Sequence, residues 1–304
     1  LTLSPGMRYE NVELAFDNFG TSDNARMGTA LKSATNHLDI FLPGLGMSYV
    51  LKDNMRVFGG VHRGFSPPGM PSIGVNVNQA KSETAINYEL GYRVSRKHLK
   101  MQVIGFLNNY QNILGSDNVS GGGAGTGDMF NAGNAKIQGI EFSFEQNLWR
   151  SSPKWRLPLS ISYTYNDAKF MQTFVNAGGD WGTGKISKGE SIPFITPQLL
   201  SLSLGLESDK MNVTVISRYV GNTRIKTGNP AEIVPSASAK YTDVNTIGEY
   251  WVVDLSGNYT FSKSITFFST INNMLNNAYI VANLPQGFRP GMPFSANIGV
   301  KINL

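Results

Sequence analysis

The 304-residue sequence contains no cysteine, has charge on only 15% of its side chains, and holds no apolar run long enough for a membrane-spanning helix. The missing cysteine removes disulfide frameworks and thiolate metal sites, and is compatible with an oxidising compartment. Low charge argues against an ordinary soluble enzyme. A spanning helix needs about 18 or more consecutive apolar residues, and the mean hydropathy here is −0.17. A membrane protein of this composition would therefore cross with strands. The net charge of +5 is modest and dispersed, with no Lys/Arg block to form a nucleic-acid footprint. His37, His62 and His98 lack metal-ligand spacing. The tract Gly121–Gly127 fails the Gly-x-Gly-x-x-Gly spacing and the strand-to-helix setting of a phosphate loop, and reads as a flexible loop. The opening Leu1-Thr-Leu-Ser-Pro-Gly shows neither an initiator Met nor a signal peptide, so an upstream segment is expected to have been removed.

What is present is alternation. From Phe294 to Leu304 every even position is apolar and every odd one small or polar. A strand sends these two sets to opposite faces, whereas a helix scatters them. The same period predicts twelve strands: 1–10, 41–51, 55–65, 84–93, 99–113, 138–146, 155–166, 199–207, 211–220, 250–261, 265–275 and 294–304. Segment 99–113 is the least regular, because Val103, Ile104, Phe106 and Leu107 interrupt strict alternation. Short polar turns near 52–54, 95–97, 208–210 and 262–264 alternate with long loops, including 15–39, 66–82 and 221–248. That asymmetry is the one expected of a barrel with a periplasmic and an extracellular rim, both chain ends lying on the periplasmic side.

Asn87, Glu89, Glu141, Glu145, Arg156 and Arg218 fall on the face opposite the aromatic residues. An apolar outer face and a polar inner one suit a water-filled lumen. A soluble all-β sandwich can also supply about a dozen alternating strands, but one with an exposed aromatic face would aggregate. Outward Trp155, Tyr163, Trp251 and Tyr259 fit interfacial girdles, with sugar-stacking platforms the alternative. The fold class expected is all-β, an antiparallel transmembrane β-barrel.

Several segments resemble the TonB-dependent outer-membrane receptors. They are Leu1–Glu10, Phe41-Leu-Pro-Gly-Leu-Gly-Met-Ser-Tyr49, Val57-Phe-Gly-Gly-Val-His-Arg-Gly-Phe-Ser-Pro-Pro68, Asn87-Tyr-Glu-Leu-Gly-Tyr92 and Gln138-Gly-Ile-Glu141. Asn273-Met-Leu-Asn-Asn-Ala-Tyr279 looks like the family's penultimate-strand signature, and Asn297, Gly299, Ile302 and Leu304 match its terminal assembly signal. A departure is Leu304 itself, where an aromatic is usual. Barrels of this family have about 22 strands and an N-terminal plug. The resemblance therefore implies that residues 1–304 are the C-terminal part of such a barrel, without the plug and the earlier strands.

The run around Val57–Pro68 is most similar to the ferric dicitrate receptor branch. That resemblance implies a non-enzymatic receptor in the outer membrane of a Gram-negative bacterium, monomeric, without cofactor, transporting iron(III) dicitrate. Its partners would be the TonB–ExbB–ExbD complex acting through the plug, the barrel-assembly machinery and outer-membrane lipid. An anionic chelate calls for cationic and polar donors in the upper lumen. Parity and height select His62, Arg218, Arg224 and Lys226, each of which can equally be a solvated lumen or loop residue. Glu141 and Glu145 share a face as paired carboxylates do, yet read as lumen residues. A passive porin of twelve self-closed strands, an adhesin or lectin, and a receptor for a nickel or haem chelate remain alternatives.

Overall fold

The structure, a computed structural model, describes residues 1–67, 81–116, 129–131, 133–149, 152, 154–176, 181, 184–227, 245–282 and 287–303. Among them is one sheet of twelve antiparallel strands, each paired with the next in sequence. In chain order these are β1 Thr2–Asn18, β2 Lys32–Lys52, β3 Met55–Ser66, β4 Glu83–Arg96, β5 Leu99–Gln111 and β6 Ala135–Asn147. They continue as β7 Pro158–Phe170, β8 Gln198–Glu207, β9 Met211–Val220, β10 Tyr250–Thr260, β11 Ile265–Asn272 and β12 Ser295–Ile302. No helix occurs among the described residues. The expected strand count is met. The sheet ends at β1 and β12, which do not pair with each other, so the twelve strands do not close on themselves.

Short connections at 53–54, 97–98, 148–157, 208–210 and 261–264 alternate with long ones at 19–31, 67–82, 112–134, 171–197, 221–249 and 273–294. Four of the long connections carry small two-stranded ladders of their own among the described residues, such as Phe174–Asn176 with Gly184–Ile186. Much of 66–82 and 221–248, and all of Gly121–Gly127, lie outside the described residues.

Two expectations about length are corrected. The first two strands run far into the stretch 15–39, leaving only 19–31 as a loop. The strand expected to reach Leu275 stops at Asn272, because Asn273 and Asn276 adopt left-handed φ values of 48° and 51°. At 21 residues, β2 is ~70 Å long at ~3.4 Å per residue. That far exceeds the ~25 Å apolar band of an outer-membrane barrel, even for a tilted strand.

The excess length stands above the band, and there the side-chain pattern reverses. In β2, Phe41, Leu45, Met47 and Tyr49 face outward and are about half exposed, while Gly44, Gly46 and Ser48 face the lumen. Higher up, outward positions become Thr35, His37 and Asp39, and the apolar Leu38 and Ile40 turn inward. The pair β6 and β7, four and five strands farther along the sheet, does the same. Ile140, Phe142 and Phe144 are outward below, but Lys136 and Lys169 are outward above, opposite inward Ala135, Ile137, Ala168 and Phe170.

The inward apolar side chains of that upper tier have something to pack against. Connection 171–197 folds over the lumen and brings Trp181, Ile186 and Ile192 onto Phe170, Ala135 and Ala168. Phe170 is fully buried, its ring edge-on to Phe174 at 5.2 Å and to Trp181 at 5.5 Å. Such aromatic contacts add stability beyond the area they bury.

Lower in the wall a different device operates. Phe58, Phe106 and Phe268 sit directly across from Gly91, Gly139 and Gly299. A Cβ on Gly91 or Gly299 would lie 2.3 Å from the facing ring. Each phenyl therefore lies flat over a glycine, which keeps the inner surface shallow. The irregularity of segment 99–113 has the same origin: Ile104 and Phe106 turn to the lumen side beside these glycines.

Candidate ligand-binding wall of the lumen

The inner face of the spanning strands is polar and charged, as parity required. Glu145 pairs with Lys100 at 3.3 Å, and Arg156 with Glu207 at 3.1 Å. Arg93 donates to Gln102 at 2.6 Å and lies over the Phe58 ring. Glu89 and Glu141 line a shallow depression of about 460 Å³ with His62, Asn87, Ile104, Phe106 and Asn108. Among the described residues no group of three or more His, Asp or Glu is placed to hold a metal ion.

His62 is on β3, opposite Gly44 and Asn87 on the lumen side, and is exposed. Arg218 is on the same face of β9, six strands along the sheet, so the two do not share a site within this sheet. The Arg218 guanidinium pairs with Asp254 on β10. Arg218 remains about half exposed, whereas Asp254 is mostly covered, and the carboxylate also accepts the Asn273 N–H at 2.8 Å.

Asn273 is the hub of this corner. It is 1% exposed, and its amide nitrogen donates to the carbonyls of Asn277 at 2.9 Å and Met292 at 3.0 Å. Its side-chain oxygen accepts from the Asn277 N–H at 3.0 Å, and Asn277 in turn donates to the Trp251 carbonyl at 2.9 Å. The Asn-Met-Leu-Asn-Asn segment is thus a hydrogen-bonded knot that fixes Asp254, and through it Arg218. Parity places Asp254 inward, but nothing in the sequence shows that it faces Arg218 or binds the knot.

Arg224 and Lys226 lie beyond the end of β9. The Arg224 Nε donates to the Lys226 carbonyl at 2.8 Å, and the Phe194 N–H donates to the Arg224 carbonyl at 2.7 Å. Both side chains are half-buried, on either side of the fully buried Ile225. The structure therefore brings Arg224 and Lys226 together on one segment and leaves His62 apart.

The assembly residues occupy β12. Asn297 faces Thr270, Gly299 faces Phe268 and Ile302 faces Ile265, with Ile302 outward and 65% exposed. Leu304 lies outside the described residues. Trp251, Phe267 and Ile298 are all exposed on the outward face, at 41%, 44% and 84%, so the aromatic side is not a dry interior. Of the expected girdle, Tyr163, Trp251 and Tyr259 are on outward strand positions, but Trp155 sits in the connection before β7.

Above the strands, in connection 19–31, Asp23 accepts the N–H groups of Met27, Gly28 and Thr29 at 2.9, 2.7 and 3.0 Å. These bonds, the Met27 one foremost, hold its carboxyl below the ordinary carboxylate value.

A family profile described as "TonB dependent receptor-like, beta-barrel" matches residues 1–274. The pesticin receptor of Yersinia enterocolitica is 26% identical over 160 residues, which are 52% of this chain and 21% of that protein. The siderophore receptor PiuA from Acinetobacter baumannii superposes with a TM-score of 0.73 at 18% identity, over 99% of this chain and 40% of that one. The ferric citrate transporter FecA in its unliganded form does so with a TM-score of 0.72 at 18% identity, over 98% and 42%. At such identities the solved structures establish the fold, and the chain spans less than half the length of each of these proteins.

Proposed function

Because this chain belongs to the TonB-dependent receptor family of outer-membrane β-barrels, a family of receptors and transporters and not of enzymes, we propose that it captures an iron chelate, iron(III) dicitrate in particular. In this reading residues 1–304 are the C-terminal part of a barrel of about 22 strands whose plug and earlier strands lie outside the sequence. The barrel is inserted by the barrel-assembly machinery, sits in outer-membrane lipid as a monomer, and is emptied by the TonB–ExbB–ExbD complex pulling on the plug. The observation that carries the reading is the wall itself: apolar and aromatic outward, charged and hydrogen-bonding inward, and joined by long connections on one rim. The likeness to a ferric citrate transporter supports the choice of chelate.

Arg218 supplies the strongest donor. Its guanidinium is fixed by Asp254, so little side-chain freedom remains to be lost when a citrate carboxylate binds its exposed edge. Arg224 and Lys226 add positive charge from the connection above, while His62, six strands away along the sheet, stands apart from this group. Titrating the full receptor with ferric dicitrate tests this. Arg218→Ala should weaken binding about tenfold or more, the worth of a charge-assisted hydrogen bond. Unchanged affinity removes Arg218 from the site, and no binding by the unaltered receptor removes iron citrate in favour of another metal chelate such as nickel or haem.

A further inference from the structure

The outward face of the wall is not uniformly convex. At Gly105 on β5 the side chain is missing between Leu90 of β4 and Ile140 of β6, its two register partners. The result is a groove of about 510 Å³ whose outward walls are Tyr88, Leu90, Leu107, Gln138, Ile140 and Tyr165. A Cβ on Gly105 would have only the Leu90 carbonyl oxygen nearby, at 4.0 Å, so the space is open toward the membrane.

Gln138 closes the upper end of this groove, and Lys136 follows it up β6, both outward. Lys136 stands in register with Lys169 of β7, on the same face. Two like charges opposite each other across antiparallel strands destabilise the pair unless a counter-charge is present. Lys169 bonds the Ser191 hydroxyl at 2.8 Å and lies 3.9 Å from Asp167, while Lys136 has no ion-pair partner among the described residues. One carboxylate against two ammonium groups leaves the rim positive. Four residues separate Lys136 from Ile140, or ~14 Å along the strand, about the offset between a lipid headgroup and the upper part of its acyl chain once the strand tilt is allowed for.

We propose that this groove and lysine pair form a site for one lipid with a phosphorylated headgroup: an acyl chain lies over Gly105, and the phosphate sits between Lys136 and Lys169. The charge of the rim favours a headgroup with net negative charge over one with none, and the missing Gly105 side chain provides the depth that holds the chain in place. Asp167, which Gln138 holds through a 3.1 Å hydrogen bond, limits the attraction.

Native mass spectrometry of the full receptor in zwitterionic detergent tests this, with dimyristoyl phosphatidic acid, dimyristoyl phosphatidylcholine and inorganic phosphate as probes. Phosphatidic acid should be retained in preference to phosphatidylcholine. Replacing both lysines by Gln, or Gly105 by Leu, should each lower retention about tenfold, while Asp167→Asn should raise it. Heat-dependent gel migration identifies variants that have folded. Equal retention of the two lipids, or full retention by folded Gly105→Leu protein, overturns the proposal. So does displacement of the lipid by inorganic phosphate at equal concentration, which would leave a headgroup site without a chain site.

Discussion

The lower and upper halves of the same strands obey opposite rules. At membrane level β2 turns Leu45 and Met47 outward and Gly44 and Gly46 inward; above it the outward positions are His37 and Asp39 and the inward ones Leu38 and Ile40. The backbone alternates without a break, so the reversal comes from the surroundings. Below, lipid touches one face and water the other. Above, water touches the outer face, and over β6 and β7 the inner face is covered by connection 171–197, which folds back onto it. The level of the reversal, near Tyr9 and Phe41 on one side of the sheet and Tyr165 on another, marks where hydrocarbon gives way to water.

The most damaging test of this comparison removes the packing above the band. Phe170→Ala deletes a fully buried ring from the upper cluster and should cost about 3–5 kcal/mol of local stability. Hydrogen exchange should then rise through 184–195 while the membrane-level amides of β6 and β7 stay protected. Uniform loss across both levels would mean the tiers are one cooperative unit. A second test compares two substitutions on one face of one strand. Leu45→Arg places a charge against lipid and should cost about 2–4 kcal/mol, whereas His37→Arg, above the band, should stay within about 0.5 kcal/mol. Urea midpoints of the refolded barrel in vesicles would measure both, and equal effects would erase the boundary.

Legibility in the sequence divides at the same level. Wherever apolar side chains point to lipid, period-two alternation with one sign locates the strand, as for Met211–Val220, whose bounds agree to the residue. After Tyr9 and before Phe41 the alternation persists with its sign inverted, so Leu38 reads as part of the polar loop 15–39, and Val12, Leu14 and Ile40 fall outside the expected strands. Following either parity, instead of the outward-apolar one alone, extends both strands. The candidate site is legible only in part. Parity puts Arg218 and His62 on the lumen side, but Arg218 meets Asp254 from 36 residues away and Asn273 meets it from 19, contacts that no local pattern records.

A smaller effect separates two glycines that the sequence treats alike. Both Gly139 and Gly6 face the lumen from a strand, yet a Cβ on Gly139 would lie 2.0 Å from the Tyr165 carbonyl oxygen and 2.7 Å from the Phe106 ring, while one on Gly6 meets nothing within 4 Å. Gly139→Ala should therefore cost about 1–3 kcal/mol through overpacking, and Gly6→Ala almost nothing. Refolding yield and urea midpoint compare them. Equal tolerance would show that the flat phenyl over Gly139 can move aside, and that the shallow lumen wall is not held by that contact.

The mildest expected effect lies entirely above the band, in connection 19–31. Three backbone N–H groups converge on the Asp23 carboxylate, which keeps its proton affinity below that of an unfolded aspartate. A carboxyl whose value is depressed on folding contributes order that is present above the unfolded value of about 3.9 and is lost as pH falls through the lower, folded value. Acidification should therefore loosen residues 23–29 while the strands at membrane level, which lack this arrangement, keep theirs. The amide-proton shift of Gly28, followed against pH, should titrate with a midpoint below that of free aspartate, and Asp23→Asn should abolish the titration. A midpoint at or above the free value would show that the three N–H bonds do not hold the loop, and that its order above the membrane comes from the β1–β2 ladder alone.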